Sequence, residues 1–270
     1  MGLSADDYVI RSVVLQQSSL AKEVGSPLDT FAFIPSPEHI RRGMERGVYP
    51  WWIDPNAVLA FWRPLSAATH WLDFHLFPHQ IWLMHLHSLL WYGALGVLAF
   101  AVYRNFFSTS AFAFLAGFLY ICDEAHGMSV GWLAARNAIT APVFAFAMFL
   151  AHIRWREKGN PVHLILAVLL LTFSLLSGES GVAIAGYLFA YACFLDPKGK
   201  FRGVFSLFPY ATVVVFWRLA YVRMGYAALG TGLYIDPGKN PVQFLLAVMQ
   251  RLPVLLLGQL LGPNSGAVTL

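Results

Sequence analysis

Ile81-Trp82-Leu83-Met84-His85-Leu86-His87-Ser88-Leu89-Leu90-Trp91-Tyr92-Gly93-Ala94-Leu95-Gly96-Val97-Leu98-Ala99-Phe100-Ala101-Val102-Tyr103 contains no Asp, Glu, Lys or Arg. An apolar run of about 20 residues is what a helix needs to cross a bilayer. The rest of the chain repeats the pattern. Further apolar runs fall at roughly 108–122, 134–151, 161–177, 181–195, 204–222 and 243–261. The expectation is an all-α integral membrane protein, a polytopic helical bundle of about seven membrane helices over residues 81–263.

Composition agrees. The chain of 270 residues is 58% hydrophobic and 12% charged, with a mean hydropathy of +0.59. Soluble domains carry about 25% charged residues, so this surface is too poor in charge to face water throughout. The net charge of +4 does not indicate nucleic acid, because the basic residues sit in short loops between apolar runs. Arg104, then Arg154, Arg156 and Lys158, then Lys198, Lys200 and Arg202 mark one side. Asp123, Glu124 and His126, then Glu179, then the loop around Asp236 mark the other. The positive-inside rule makes the first side cytoplasmic. Arg223 and Lys239 run against this scheme. Cys122 and Cys193 then fall near opposite faces, too far apart for a disulfide.

Counting back from Ile81 puts residues 1–80 outside, periplasmic if the membrane is a bacterial inner (plasma) membrane. This region holds Pro27, Pro35, Pro37, Pro50, Pro55, Pro64 and Pro78, which exclude a long helix. Helical pieces are expected at 5–21 and 37–46, and an aromatic interfacial loop at Tyr49-Pro50-Trp51-Trp52-Ile53-Asp54-Pro55. Over 64–77, Leu65, Ala68, Leu72 and Leu76 fall at helical spacing, with His70 and Asp73 toward the other face. That reads as an amphipathic helix lying in the membrane surface. Such a topology calls for a membrane helix before Gly2, since nothing ahead of residue 81 resembles a signal peptide.

Candidate chemistry gathers on the outer face: Asp6 and Asp7, Arg63, Asp123, Glu124 and His126, Arg136, and Glu179 in Ser177-Gly178-Glu179-Ser180-Gly181. Charged groups beside membrane spans are costly and tend to mark sites. Solvated loops account equally well for Asp123 and Glu124, and lipid-headgroup anchoring for Arg63 and Arg136. An Arg at the headgroup layer can also grip a phosphate with two N–H groups. The histidines lack a zinc pattern: His85 and His87 are two apart and face different ways on a helix, and Pro78 separates His75 from His79. No cofactor is expected, and no divalent metal is supported. Nucleophile and phosphate-loop motifs are absent, which leaves carboxylate base chemistry.

Ala5-Asp6-Asp7-Tyr8, Trp62-Arg63-Pro64-Leu65, His85-Leu86-His87, Gly131-Trp132-Leu133-Ala134-Ala135-Arg136-Asn137 and Leu176-Ser177-Gly178-Glu179-Ser180 together resemble, in order and spacing, the GT-C membrane glycosyltransferases, above all the protein O-mannosyltransferase-like group and its bacterial cousins. The resemblance implies transfer of a sugar from a polyprenyl-phosphate donor to an acceptor hydroxyl at the outer face. It implies a catalytic base at Asp6 or Asp7, with Asp7 slightly favoured. Arg63 and Arg136 become candidates for the donor phosphate, and Glu179 or Asp123 for orienting substrate. The partners implied are the lipid-linked sugar, membrane lipids and an acceptor the motifs do not name. The competing reading is a non-enzymatic polytopic protein, a transporter or an assembly scaffold. An acyltransferase, using His70 with Asp73, is a third.

Overall fold

In a computed structural model the chain is mostly helical. The structure describes residues 2–4, 6–17, 19–24, 26–230, 234–235, 237–238 and 240–261, without the side chains of 19, 20 and 258–261. Ala5 of the first motif, the charged loop residues Asp236 and Lys239, and the segment from 262 onward lie outside it.

The described chain forms two compact units, Met1–Pro35 with Ala60–Tyr226, and Ser36–Leu59 with Ala227–Leu270. The first unit begins with α1 (Asp6–Val14), α2 (Ser19–Val24) and a strand β1 (Ala32–Ile34). After the strand β2 (Val58–Ala60), on the boundary between units, come α4 (Pro64–Leu76) and α5 (Ile81–Arg104). Then follow α6 (Ser110–Ile121), α7 (His126–Gly131), a 3-10 turn at Leu133–Arg136 and α8 (Asn137–Lys158). The unit closes with α9 (Pro161–Ser177), a second 3-10 turn at Glu179–Ala183, α10 (Ile184–Phe194), α11 (Lys200–Phe205) and α12 (Phe208–Arg223). The second unit holds α3 (Pro37–Glu45), the strand β3 (Ala227–Leu229) and α13 (Pro241–Leu261). The three short strands correct the all-α expectation; runs of three residues leave no alternating pattern to read.

Among the described residues three helical stretches are long and apolar enough to cross a membrane: Ile81–Arg104, Leu133–Lys158 and Lys200–Arg223. The apolar helices Ser110–Ile121, Pro161–Ser177, Glu179–Phe194 and Pro241–Leu257 are shorter. Many large apolar side chains point outward, among them Leu90, Val97, Phe112, Leu119, Val162 and Phe216. Soluble monomers rarely expose contiguous apolar patches on this scale; hydrocarbon is the solvent that fits them.

The centre of the first unit is the α8–α9 hairpin. Gly159 closes α8 in the left-handed region, at φ +73°, where glycine bears no Cβ strain. Asn160 then caps α9 by accepting from Val162 N–H at 2.9 Å, with Pro161 at the first helical position, where its missing N–H costs nothing. The hairpin buries Ile139, Phe146, Phe149, Leu171 and Leu175 against Leu95 of α5 and Leu188 of α10. A second cluster lies under the outer segment. Ile10 and Val14 of α1 pack with Phe31, Ala67, Phe74, Met84, Leu133 and Ala134. It fastens α1 and α4 to the starts of α5 and α8, and so places the candidate residues.

Candidate functional site

Asp7 is 2% exposed. Its Oδ1 accepts the Ala134 N–H at 2.7 Å, and its Oδ2 accepts the Ser4 N–H at 2.9 Å. Asp7 N–H in turn donates to Ser4 O, so the carboxylate closes the first turn of α1 in the manner of a capping box. Both oxygens are therefore committed to backbone. Asp6 differs. It is half-buried, and among the described residues no hydrogen bond is recorded to its carboxylate. Burial, then the charge of Asp7, raises its pKa above the ordinary aspartate value.

Arg63 lies directly before Pro64, the first residue of α4. Its guanidinium lies over the Phe61 ring (4.2 Å to the centroid) and near Phe31 (5.3 Å), a cation–π arrangement. Nε and Nη2 both reach Glu179 Oε2 at 2.7 Å. The other Glu179 oxygen accepts from Tyr221 OH at 3.2 Å. Glu179 is placed by a tight turn whose Ser177 carbonyl accepts from Ser66 Oγ at 2.7 Å. Gly181 packs against Ser174 with no room for a Cβ. The ion pair is partly accessible, with side-chain exposures of 16% for Arg63 and 29% for Glu179.

Arg136 is neither at the outer surface nor at the headgroup layer but interior. It is 0% exposed, and its donors are engaged. Nε donates to Ser88 Oγ (2.9 Å), Nη1 to Thr69 Oγ1 (3.2 Å) and Nη2 to the Met84 carbonyl (2.9 Å). Nη2 also lies 2.6 Å from Asp73 Oδ2, a buried ion pair. Arg136 is thus closed to a donor phosphate in this structure. The other Asp73 oxygen is 2.7 Å from His87 Nδ1. Trp91 Nε1–H donates to His87 Nε2 at 3.0 Å, so Nε2 is the acceptor and the ring proton sits on Nδ1, facing Asp73.

This network also sets the orientation of α4. His70 and Asp73 are 2% and 1% exposed, whereas Trp71, Leu72 and Leu76 are outward. The polar face turns inward because Arg136 waits there: a buried carboxylate is tolerable when paired. Burial, then the charges of Arg136 and His87, pushes the His70 pKa well below the ordinary histidine value. Its ring is therefore neutral and unsuited to gripping anions.

Asp123, Glu124 and His126 make other contacts. Asp123 Oδ1 accepts from the Ala125 N–H at 2.9 Å within its own turn, Glu124 is exposed, and His126 meets the rings of Tyr92 and Tyr120. Among the described residues no hydrogen bond or ion pair joins them to Asp7, Arg63, Arg136 or Glu179. Sequence reasoning missed Tyr221 and the role of His87 with Asp73. A lone Tyr at the end of an apolar helix carries no signal, and pairs this far apart in the chain leave none. Among the described residues no group of three or more His, Cys, Asp or Glu is placed to hold a metal.

The first unit thus carries a half-buried carboxylate of raised pKa at Asp6, an aromatic-backed arginine paired with Glu179, and a buried Arg136–Asp73 ion pair; among the described residues no hydrogen bond or ion pair joins Asp6 to Arg63. Comparison of the chain with protein-family models, with curated proteins and with solved structures returned no match.

Proposed function

We propose that the chain is a membrane glycosyltransferase of GT-C type, moving a sugar from a polyprenyl-phosphate donor to an acceptor hydroxyl at the outer membrane face. In this reading the apolar helices form a bundle of about seven membrane helices in a bacterial inner membrane, with residues 1–80 periplasmic. The motif order supports it. So does the way α1, the Arg63–Pro64 start of α4 and the Glu179 turn are held by one unit, through links such as Asp7 to Ala134 and Arg63 to Glu179.

The observation that carries the reading is the division of labour between adjacent aspartates. Asp7 is fixed at both oxygens and positions α1, while Asp6 keeps a half-exposed carboxylate of raised pKa. A base works best when its pKa approaches the working pH. Asp6 takes the proton of the acceptor hydroxyl as that oxygen attacks the anomeric carbon. The bond from that carbon to the phosphate oxygen breaks, and the polyprenyl phosphate leaves with the electron pair. Arg63 is the accessible cation for that phosphate, once Glu179 yields it.

A non-enzymatic transporter or scaffold is favoured by one observation, the neutralisation of Arg63 by Glu179. The two readings separate on incubating the reconstituted protein with polyprenyl-phosphate-linked sugars labelled on the sugar. Loss of labelled lipid, to acceptor or to water, is expected. A donor pool unchanged across several sugars, with folded protein, would remove the enzymatic reading.

A further inference from the structure

In the second unit, Ser36 caps α3 by accepting from His39 N–H at 3.2 Å. The chain then turns back at Gly47 (φ +70°). Val48 N–H donates to Gly43 O at 2.8 Å. Tyr49 folds inward onto Gly43, where a Cβ would collide with its ring, and against His39 at 5.9 Å between centroids. Beyond this fastening the side chains reverse direction. Trp51 is 84% exposed and Trp52 72% exposed, edge to face at 5.6 Å. The tip is a closed turn, not a loose end. Ile53 N–H donates to Pro50 O, Asp54 Oδ1 accepts from Asn56 N–H at 2.9 Å, and Ala57 N–H donates to Asp54 O. Gly230, next to β3, lies so close to Asp54 and Ala57 that only glycine fits. The strand starting at Val58 pairs with β3. Shortly after β3 the chain enters α13, whose Val242, Leu245, Leu246, Met249, Leu252 and Leu255 are all exposed and apolar.

Two adjacent indoles held outward by a braced turn, in the unit that carries an apolar outward-facing helix, form a surface for one kind of partner. Indole is apolar in body and polar at its N–H, and it partitions to the headgroup level of bilayers. The basic and acidic residues of 36–59 balance, Arg41, Arg42 and Arg46 against Glu38, Glu45 and Asp54, so nothing repels a zwitterionic interface. We propose that the Trp51–Trp52 turn inserts into the phospholipid headgroup layer and anchors this unit to the bilayer, continuous with the lipid-facing surface of α13.

The test uses the whole chain in phosphatidylcholine nanodiscs, with Cys122→Ala and Cys193→Ala and a single environment-sensitive fluorophore on Trp51→Cys. Quencher lipids carry a nitroxide either near the carbonyl or near the chain end. The expected result is emission shifted to shorter wavelength and stronger loss of intensity with the shallow quencher than with the deep one. The same label on Trp52→Cys gives an independent reading, and elution as folded protein is checked for both. Water-like emission with no quenching at either position overturns the proposal and returns the indole pair to recognition of a soluble partner such as an acceptor glycan. Equal or stronger quenching by the deep lipid overturns it as well.

Discussion

Replacing Asp73 by Ala removes the carboxylate that, among the described residues, forms the ion pair with a guanidinium that is 0% exposed. Arg136 keeps its neutral partners, Ser88, Thr69 and the Met84 carbonyl, and the more distant charge of Asp7, but loses its ion-pair partner in an interior site. Breaking a buried pair from one side costs about 3–5 kcal/mol. Asp73→Asn is expected to fare little better. Trp91 fixes the His87 proton on Nδ1, so both His87 and Arg136 offer donors to position 73. An Asn amide has one acceptor oxygen and must turn its NH2 toward a donor. Removing both charges, Asp73→Ala with Arg136→Met, should recover part of the loss. The coupling in the double-mutant cycle is expected at roughly 2–3 kcal/mol. The assay is unfolding by a denaturing detergent titrated into mild-detergent micelles, followed by tryptophan fluorescence. An Asp73→Ala variant within about 0.5 kcal/mol of wild type, the range of an ordinary surface substitution, would refute the buried-network account.

Asp7→Asn should lose stability by about 1–3 kcal/mol, because its NH2 must face one of two backbone donors, Ser4 or Ala134; the same unfolding titration reads it, and a neutral result contradicts the capping role. Glu179→Gln weakens a charge-assisted contact worth roughly 1.5–3 kcal/mol, yet it frees Arg63. Tighter binding of a polyprenyl phosphate is therefore expected despite lower stability, and weaker binding would contradict displacement of Glu179 by the donor. Asp196 supplies a pH test. Burial raises its pKa, but the hydrogen bonds from Arg156 and Lys198 N–H and the Arg156 charge outweigh that and hold it below the ordinary 3.8. A depressed folded-state pKa contributes stability above the unfolded value, lost as pH falls through the folded one. Arg156→Met should therefore flatten the fall in stability below about pH 4, and an unchanged acid limb in circular dichroism melts would argue against the pair.

The membrane character of the chain was legible because charge is absent from long windows such as 81–103, a one-dimensional property. Which face of α4 is buried was not. Helical spacing separates Leu72 and Leu76 from His70 and Asp73, but it does not say which set meets protein and which meets lipid. The answer lies in Arg136, far along the chain, whose buried charge needs a partner. The same holds for Arg63, whose two-point contact with Glu179 spans 116 residues. The aspartate pair was legible as a pair only. Its division into a structural and an accessible member depends on the Ala134 N–H, which no spacing rule supplies.

The central claim is that Asp6, held by Asp7, is the base of a glycosyl transfer. Its most direct test is the rate of labelled-sugar transfer from polyprenyl phosphate by wild type and Asp6→Asn, reconstituted side by side, as a function of pH. Asn keeps the size and removes the basicity, so turnover should fall by about 10²–10⁴-fold with stability unchanged. The wild-type rate should rise with pH through the raised Asp6 pKa, a limb missing from the variant. Full transfer by Asp6→Asn, with the same pH profile as wild type, would contradict the account.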